Sequence, residues 1–207
     1  MSPPAARHPV SPSTSAPPEG EHLPRLLEAM ARTVGSKGYA TTTIADIVAE
    51  AQVSRRTFYE HFQTKADCLV ALYEHASLQG LQVLRQELDG RSPWQEQVER
   101  ALHAYLTWMA RNPILMRTLF LEMLSLGPQG MQARRRVHAQ LAQFIQQTVN
   151  GPRRKAPPSS RELSMAVIGG LHELVLERIE AGDVAGLPQL APVAADLVRR
   201  VLAVSHT

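Results

Sequence analysis

Two arginines and a threonine, Arg55, Arg56 and Thr57, follow Ser54 at the start of a short amphipathic segment. Serine is well suited to cap a helix N-terminus, and the apolar residues that come next turn one side of the segment inward. The arginines and the threonine therefore lie outward on the first turn. In a DNA major groove, arginine can pair bidentately with guanine, and a threonine methyl can contact thymine. An ordinary solvated helix start explains the same residues in isolation, because arginine pairs are common on surfaces.

A helix is also predicted immediately before this segment. Ile44, Ile47 and Val48 recur at i, i+3 and i+4, so they share one face of a helix. Thr42 and Thr43 precede them and are candidate caps. The two segments, joined by a tight turn, form a helix-turn-helix pattern.

The full stretch from Thr41 to Leu69, TTTIADIVAEAQVSRRTFYEHFQTKADCL, resembles the DNA-binding segment of the TetR family of transcriptional regulators. A threonine-rich entry, a hydrophobic-x-Asp-Ile run, a V-S turn, a T-F-Y-x-H-F block and a following lysine stand at the spacings of that family. The specific match covers about residues 23–72. The rest of the chain fits the family in length and helical organisation.

The resemblance implies DNA contacts of two kinds. Contacts to phosphates fix the register of a protein on DNA, whereas contacts to bases specify the sequence, so the two kinds are expected to respond differently to mutation. Contacts to the DNA backbone are implied for Thr43, Tyr59, Lys65 and His61, and contacts to base edges for Arg55, Arg56 and Thr57.

One residue in the turn departs from the family pattern. Gln52 stands where members of the family usually carry glycine. A glycine that ends a helix commonly adopts a left-handed conformation, which is costly for other residues. Two interpretations stay open: Gln52 accepts the strain, or the turn is built differently.

Length and composition predict a small DNA-reading unit and a larger helical unit. The chain has 207 residues, of which 44% are hydrophobic, enough for one sizeable core or two modest ones. We expect a flexible Pro/Ser-rich tail at 1–22, a DNA-binding head at 23–73 that includes the start of a connecting helix, and a ligand-binding and dimerisation body at 74–207. The head holds six basic and five acidic residues, a net charge of +1. DNA binding therefore depends on where its positive groups point.

The helical period of the apolar residues, without strand alternation, predicts an all-α fold of about nine helices. The first helix is predicted from Pro24 to Ser36. A long fourth helix is expected to begin at a Thr64 cap, with Gly80 as a candidate break. Further starts are indicated by Ser92 with Pro93, Asn112 with Pro113, and Ser159 with Glu162, and the last helix is predicted from Pro188 to Val204.

Apolar stripes on the last two helices can close a monomer core or pair with a second copy. The resemblance favours pairing, because this family typically dimerises through a four-helix bundle built from two C-terminal helices of each subunit. A twofold dimer would place two recognition helices about 34–36 Å apart, or a multiple of one DNA turn, and would read a pseudo-palindrome. The residues assigned to this homodimer interface are Leu163, Val167, Gly170, Leu171, Leu174, Val193, Leu197 and Val201.

The segment 94–110 has apolar groups around most of its circumference and is predicted to be an enclosed helix. A ligand cavity beside it is one hypothesis, and a solid core filled by the same residues is the other. The basic clusters at 134–136 and 153–155 are interpreted as solvated surface. The residues assigned to the cavity are His103, Tyr105, Trp108, Met109, Phe120, Met123 and Phe144.

These patterns together predict a cytoplasmic, sequence-specific regulator of transcription. It is expected to be a repressor that a small apolar or amphipathic ligand releases from an operator. A ligand-free or partner-regulated DNA binder is the alternative. An enzyme has little support, because the chain has no H-E-x-x-H, G-x-S-x-G or Gly-rich phosphate loop, and no metal or cofactor is expected. The single cysteine, Cys68, is interpreted as a small buried hydrophobe, and no apolar run reaches the length of a membrane span.

Overall fold

The computed structural model describes residues 21–88, 92–149 and 160–203, and these residues form nine α-helices without any strand. The all-α prediction is confirmed for this part of the chain. Short 3-10 segments, Glu122–Leu126 and Val184–Leu190, precede the seventh and ninth helices. The helices are α1 (His22–Lys37), α2 (Ile44–Ala51), α3 (Arg55–His61), α4 (Lys65–Gln86), α5 (Trp94–Ala110), α6 (Pro113–Leu121), α7 (Pro128–Val149), α8 (Arg161–Glu180) and α9 (Ala191–Ala203). Most of the expected tail and the 153–155 cluster lie outside the described residues.

The first three helices enclose a core around Phe58. This side chain is fully buried, as are Leu26 and Met30 of α1 and Ile47 of α2. The ring of Phe62 lies against it, with the two centroids 5.6 Å apart. The apolar spacing that predicted α1 and α2 is thus the face by which both helices pack on α3. The predicted bounds of α1 are shorter than the observed ones by two residues at the start and one at the end.

Reciprocal caps start two of the helices in the head. Thr43 Oγ1 accepts a hydrogen bond from the Asp46 N–H at 3.2 Å, and the Asp46 carboxylate accepts one from the Thr43 N–H at 2.7 Å. Thr64 and Asp67 make the same pair of bonds at 3.1 and 2.9 Å. Each pair satisfies backbone donors that have no partner within the helix. The predicted caps at Thr43 and Thr64 are confirmed.

Gln52 ends α2 in the left-handed region, with φ 52° and ψ 45°. It is the one non-glycine residue with positive φ in the described part of the chain. Of the two interpretations of the turn, the strained one is therefore correct. The Gln52 carbonyl accepts a hydrogen bond from the Arg25 guanidinium at 3.1 Å, which ties the strained turn to α1.

We expect Gln52→Gly to raise the free energy of unfolding by about 0.5–1 kcal/mol, because glycine adopts this conformation without the clash of a Cβ. The Arg25 bond is retained, since it uses the backbone carbonyl. Denaturant unfolding measures the gain. Gln52→Ala is the matched control and should give none, because alanine keeps the Cβ; equal gains in both variants would show that backbone strain is not the cause.

Helix α4 runs unbroken from Lys65 to Gln86, so the break considered near Gly80 is wrong. A Cβ on Gly80 would lie 2.5 Å from Cε2 of Tyr105 in α5. Glycine at this position permits the close approach of the two helices and does not redirect α4. The boundary expected at residue 73 falls inside α4, which therefore belongs to both the head and the body.

Two serine caps predicted in the body are wrong by one residue. Helix α5 begins after Pro93, which occupies the cap position itself, so Ser92 does not cap this helix. Helix α8 is capped by Ser160, whose Oγ accepts a hydrogen bond from the Leu163 N–H at 3.2 Å. The predicted cap, Ser159, lies outside the described residues.

Two further helix starts combine correct and incorrect details. Asn112 and Pro113 occupy the predicted positions before and at the start of α6, but the Asn112 amide donates to the Trp108 carbonyl at 2.8 Å and does not cap the helix. Helix α9 begins at Ala191, because Pro188 lies inside the second 3-10 segment. The predicted start of the last helix at Pro188 is therefore three residues early.

The largest cluster of buried apolar side chains extends from the head into the body. It contains Leu26 of α1, Leu69 of α4, Met109 of α5 and Leu187 of the second 3-10 segment. Cys68 is fully buried in the same cluster, and burial raises the pKa of its thiol to about 12. The interpretation of this cysteine as a small buried hydrophobe is confirmed. The head is thus joined to the body by a shared core.

Candidate DNA-binding surface and ligand cavity

The N-terminal turn of α3 presents two guanidinium groups to solvent. Arg55 is exposed and has no hydrogen-bond or ion-pair partner among the described residues. The Arg56 side chain is 90% exposed, and its Nε lies 3.1 Å from Oε1 of Glu60 one turn later. An exposed pair of this kind contributes little to stability and opens readily. Both arginines are therefore available to an external acceptor.

A serine cap fixes the geometry of this turn. Ser54 Oγ accepts a hydrogen bond from the Thr57 N–H at 3.0 Å, and the hydroxyls of the two residues lie 2.9 Å apart. The cap satisfies a backbone donor at the start of α3. The Thr57 hydroxyl is consequently engaged within the helix start.

Phe58 and Tyr59 are adjacent aromatic residues with opposite environments. Phe58 is fully buried, whereas Tyr59 is 57% exposed. The two rings meet edge to face, with centroids 5.6 Å apart and an interplanar angle of 89°. The buried Phe58 ring thus packs against the exposed Tyr59 ring. His61, at the end of α3, is exposed as well.

Lys65 has a different environment from the other residues assigned to DNA. Its Nζ donates to the carbonyls of Tyr39 at 2.8 Å, Thr42 at 2.7 Å and Ala40 at 3.4 Å. The ammonium also lies 4.3 Å from the centroid of the Tyr39 ring. An ammonium has three protons, and this loop between α1 and α2 accepts all of them. A phosphate contact would have to replace one of these bonds.

Thr43 is exposed at the start of α2, and its hydroxyl donates to the Asp46 carboxylate at 2.6 Å. Asp46 also pairs with Lys37 Nζ at 2.6 Å. The Lys37 ammonium and the two Thr43 bonds hold the pKa of Asp46 well below its usual range. The Asp46 carboxylate therefore stays ionised at neutral pH and remains hydrogen-bonded to Thr43.

A cavity with a volume of about 160 Å³ lies inside the helical body. Side chains from α4 to α9 form its walls, and most of them are apolar. The hypothesis of a completely solid core is therefore wrong. Five of the seven residues predicted for a cavity line it: Tyr105, Trp108, Met109, Phe120 and Phe144.

The other two cavity assignments are corrected by the structure. His103 is exposed on the outer side of α5, where it borders a surface groove together with Glu99 and Arg100. Met123 is buried in the core but does not line the cavity. The apolar groups around α5 gave no indication of which side faces solvent, so the outward position of His103 was missed.

Two unassigned histidines, His138 of α7 and His172 of α8, also line the cavity. Their ring centroids are 5.0 Å apart, and the His172 ring stacks on Phe120 at 4.6 Å. Arg134 Nη2 lies 3.3 Å from His172 Nδ1. Arg134 is half-buried, so its interpretation as solvated surface is wrong. The i, i+4 spacing of Arg134 and His138 was the available signal that both lie on one face of α7.

The environment of these imidazoles disfavours their charged form. Burial, and after it the charge of Arg134, lowers the pKa of His138 to about 4 and that of His172 to about 3. Both rings are thus neutral at neutral pH. Nε2 of His138 and Oγ of Ser77, which also lines the cavity, are buried without a hydrogen-bond partner in the described part of the protein. Such atoms are unfavourable unless a partner reaches them.

Polar contacts connect the head to the region around the cavity. Glu122 Oε2 accepts a hydrogen bond from the Tyr39 N–H at 3.3 Å, and Gln129 Nε2 donates to Asp67 Oδ1 at 3.0 Å. Glu122 follows Phe120, a cavity residue, by only two positions. The 3-10 segment and the start of α7 therefore contact both the cavity wall and the head.

The residues assigned to a dimer interface are buried, half-buried or exposed in the monomer. Val167 is 1% exposed, and Leu171 and Leu174 line the cavity. Val167 therefore lies in the interior of the monomer, which corrects its assignment to an outer face, whereas Leu171 and Leu174 are half-buried. Leu163 and Val193 are 38% and 51% exposed.

The other three residues of that assignment are half-buried. Gly170 packs against Leu197, whose Cδ2 lies 3.3 Å from the position of a Cβ on the glycine. Val201 packs on a cluster that contains Val167 and Val198. The outward side of α8 and α9 is consequently narrower than the apolar stripes suggested.

None of the helices in the described ranges is long and apolar enough to cross a membrane.

Residues 26–72, which contain most of the head, match the family model of the bacterial regulatory proteins, tetR family. The HTH-type transcriptional regulator YerO of Bacillus subtilis (strain 168) is 30% identical to the chain over 76 residues. This match covers 35% of the chain and 26% of YerO, so the chain spans about a quarter of the length of this relative.

Two solved structures share the fold well beyond the head. FadR from Bacillus subtilis, in complex with stearoyl-CoA, superposes with a TM-score of 0.69 at 17% identity, covering 84% of this chain and 96% of FadR. A protein from Syntrophomonas wolfei assigned to the TetR family gives a TM-score of 0.73 at 16% identity, with coverage of 90% and 97%. The helix-turn-helix match and the shared all-α fold agree. Residues 26–72 therefore carry the helix-turn-helix of the bacterial regulatory proteins, tetR family, and the described chain shares the all-α fold of these two structures.

Proposed function

We propose that the chain binds a pseudo-palindromic operator as a homodimer and represses transcription until a small apolar or amphipathic ligand releases it. The observation that carries this proposal is the outward first turn of α3. There the Ser54 cap holds Arg55 and Arg56 in place, and Tyr59 is exposed beside them.

Base reading is assigned to the first turn of α3. Arg55, without an acidic partner among the described residues, can pair bidentately with guanine, and Arg56 can do so when it leaves Glu60. Thr57, whose hydroxyl is engaged by Ser54, contributes its methyl group to a contact with thymine.

Phosphate contacts are assigned around this turn. Tyr59, Thr43 and His61 are exposed on α3 and at the start of α2. Lys65 acts mainly by holding the loop between α1 and α2 against α4, through the carbonyls that it bonds. It contacts a phosphate only by exchanging one of these bonds.

Dimerisation is assigned to the outward side of α8 and α9. Leu163 and Val193 are large apolar residues exposed there. Ala166 is exposed, and a Cβ on Gly169 would meet no atom within 4 Å, so this side of α8 is flat enough for a second helix to approach closely. In such a dimer, residues 23–73 read DNA, and residues 74–207 bind the ligand and the second subunit.

Release is assigned to the cavity and its contacts with the head. FadR, which shares the fold, binds stearoyl-CoA, and this supports an apolar chain as the ligand class. A ligand that prefers a shifted position of α4 against α6 and α7 changes the contacts of Glu122 with Tyr39 and of Gln129 with Asp67. The difference in ligand affinity between the two arrangements sets the size of the response.

Selection of binding sites from random duplex DNA tests the DNA-binding part. We expect a twofold symmetric consensus, and Arg55→Ala should weaken binding by about 1–3 kcal/mol and relax the preference at defined positions. Arg161→Ala removes an exposed arginine at the start of α8 and serves as the control with unchanged binding. An unaltered consensus in Arg55→Ala would remove this residue from base reading, and no consensus at moderate salt would contradict the operator proposal.

A further inference from the structure

We propose that the cavity binds an apolar ligand with a carboxylate head group, and that the carboxylate lies at the His138–His172 end, with Arg134 behind His172. The proposal rests on the proposed function in one respect, namely that the cavity is the ligand site. It adds the chemical class of the ligand and the position of its head group.

Two histidines, His138 and His172, form the polar end of the cavity. His138 is 8% exposed, lines the cavity, and its Nε2 has no hydrogen-bond partner among the described residues. The His172 ring lies beside it, 5.0 Å away between centroids, and is held by stacking on Phe120. Two imidazole rings therefore border the same part of an otherwise mainly apolar space.

The contact with Arg134 fixes which nitrogen of His172 carries the proton. A guanidinium only donates hydrogen bonds, so His172 Nδ1 must accept from Arg134 at 3.3 Å. In the neutral ring, the proton is then on Nε2, which makes this atom a donor. A carboxylate, which only accepts hydrogen bonds, accepts from this N–H and, in the tautomer of His138 that carries its proton on Nε2, from that ring as well.

The charge around the two rings favours an anion. Arg134 is half-buried, and its hydrogen-bond partner is the neutral His172. Tyr73 is the titratable group of α4 near Arg134, and burial raises the pKa of its hydroxyl, so it stays neutral. Glu74, the next residue of α4, is paired with Arg136 at 2.8 Å. Arg134 thus has no carboxylate partner among the described residues, and an ammonium ligand would be repelled by it.

Calorimetric titration of the full chain with three probes of equal chain length tests the proposal: octanoate, octanol and octylamine, at neutral pH. We expect octanoate to bind on the order of tenfold or more tightly than octanol, since hydrogen bonds to a charged group are stronger than neutral ones. Octylamine should bind most weakly. Arg134→Gln should remove the preference for octanoate and leave octanol binding unchanged, whereas Arg135→Gln, an exposed neighbour, should alter neither.

The possible outcomes separate this proposal from the proposed function. Equal binding of octanoate and octanol by the unaltered protein would overturn the carboxylate assignment and leave the cavity as a ligand site. A preference for octanoate that survives Arg134→Gln would also overturn it, because the head group would then lie elsewhere. Binding of none of the three probes would contradict the cavity as the ligand site, and with it the ligand part of the proposed function. Circular dichroism and thermal unfolding of Arg134→Gln verify that the variant is folded.

Discussion

Phe58→Ala is expected to lower the free energy of unfolding by about 3–5 kcal/mol, the usual range for truncation of a fully buried phenylalanine. Phe58 is completely enclosed by α1 and α2 and by the ring of Phe62. The cavity left by the ring would remove the contact by which α3 is held against these helices. Operator binding should be lost as a consequence, because the recognition helix would no longer have a fixed orientation.

Tyr59→Ala is the matched comparison, since it removes an aromatic ring from the next residue. Tyr59 is 57% exposed, so its loss should change the free energy of unfolding by no more than about 0.5 kcal/mol. A hydrogen bond from its hydroxyl to a charged phosphate would be lost, and we expect operator affinity to fall by about tenfold for all sequences alike. Tyr59 thus separates DNA contact from stability, whereas Phe58 does not.

Denaturant unfolding and DNA binding, measured on both variants, test the pair. Phe58→Leu should recover most of the lost stability, because it keeps an apolar side chain in the space. A Phe58→Ala variant as stable as the parent protein would contradict the position of the core. Equal destabilisation by Tyr59→Ala would show that the exposed ring is structural, and its assignment to a phosphate would then lose its basis.

The head could be predicted in detail because its determinants are close together in the sequence. The i, i+3, i+4 spacing of Ile44, Ile47 and Val48 defines one face of a single helix. Thr43 reaches its capping partner Asp46 three residues later, and the structure contains these bonds. Interactions of such short range are visible in the order of the residues alone.

Gly80 shows where reasoning from local sequence fails. Glycine is unfavourable within a helix, so the sequence suggests a break in α4. In the fold the helix is continuous, and the glycine makes room for Tyr105, which is 25 residues later in the chain. Packing between distant segments overrides the local preference.

The polar end of the cavity was missed for the same reason. Arg134 and His172 are 38 residues apart and meet only because α7 packs against α8. Arg134 stands in a run of three arginines, which the sequence alone suggests to be solvated. Only two of the three are exposed in the fold. Which member of a charged run turns inward depends on the orientation of the helix against its neighbours.

The two cavity histidines have a predictable effect on stability against pH. The folded-state pKa of His138 is about 4 and that of His172 about 3, both below the ordinary histidine pKa of 6.5. Between pH 6.5 and the folded-state pKa of each histidine, the unfolded chain binds protons that the folded protein does not. The stability contributed by the neutral histidines is therefore fully present above pH 6.5 and is lost as the pH falls. Each histidine contributes about 1.4 kcal/mol per pH unit in this window.

Lowering the pH from 7 to 5 is therefore expected to decrease the free energy of unfolding by about 4 kcal/mol through the two histidines together. Denaturant unfolding at a series of pH values measures the slope. His172→Phe should halve it, since phenylalanine keeps the stacking on Phe120 without a titrating nitrogen. His75→Gln, at an exposed position of α4, should leave it unchanged.

Between pH 7 and 5, the change in the free energy of unfolding is expected to come from the histidines and not from Asp46 or Glu162. The pKa of Asp46 is held far below its usual range by Lys37, and that of Glu162 is lowered by backbone and Ser160 hydrogen bonds, so both lose their contribution only at more acidic pH. A slope that persists in His172→Phe combined with His138→Leu would therefore place the titrating groups elsewhere. A slope that disappears in the double variant would show that the folded cavity keeps both imidazoles neutral beside Arg134, with Nε2 of His138 lacking a hydrogen-bond partner among the described residues.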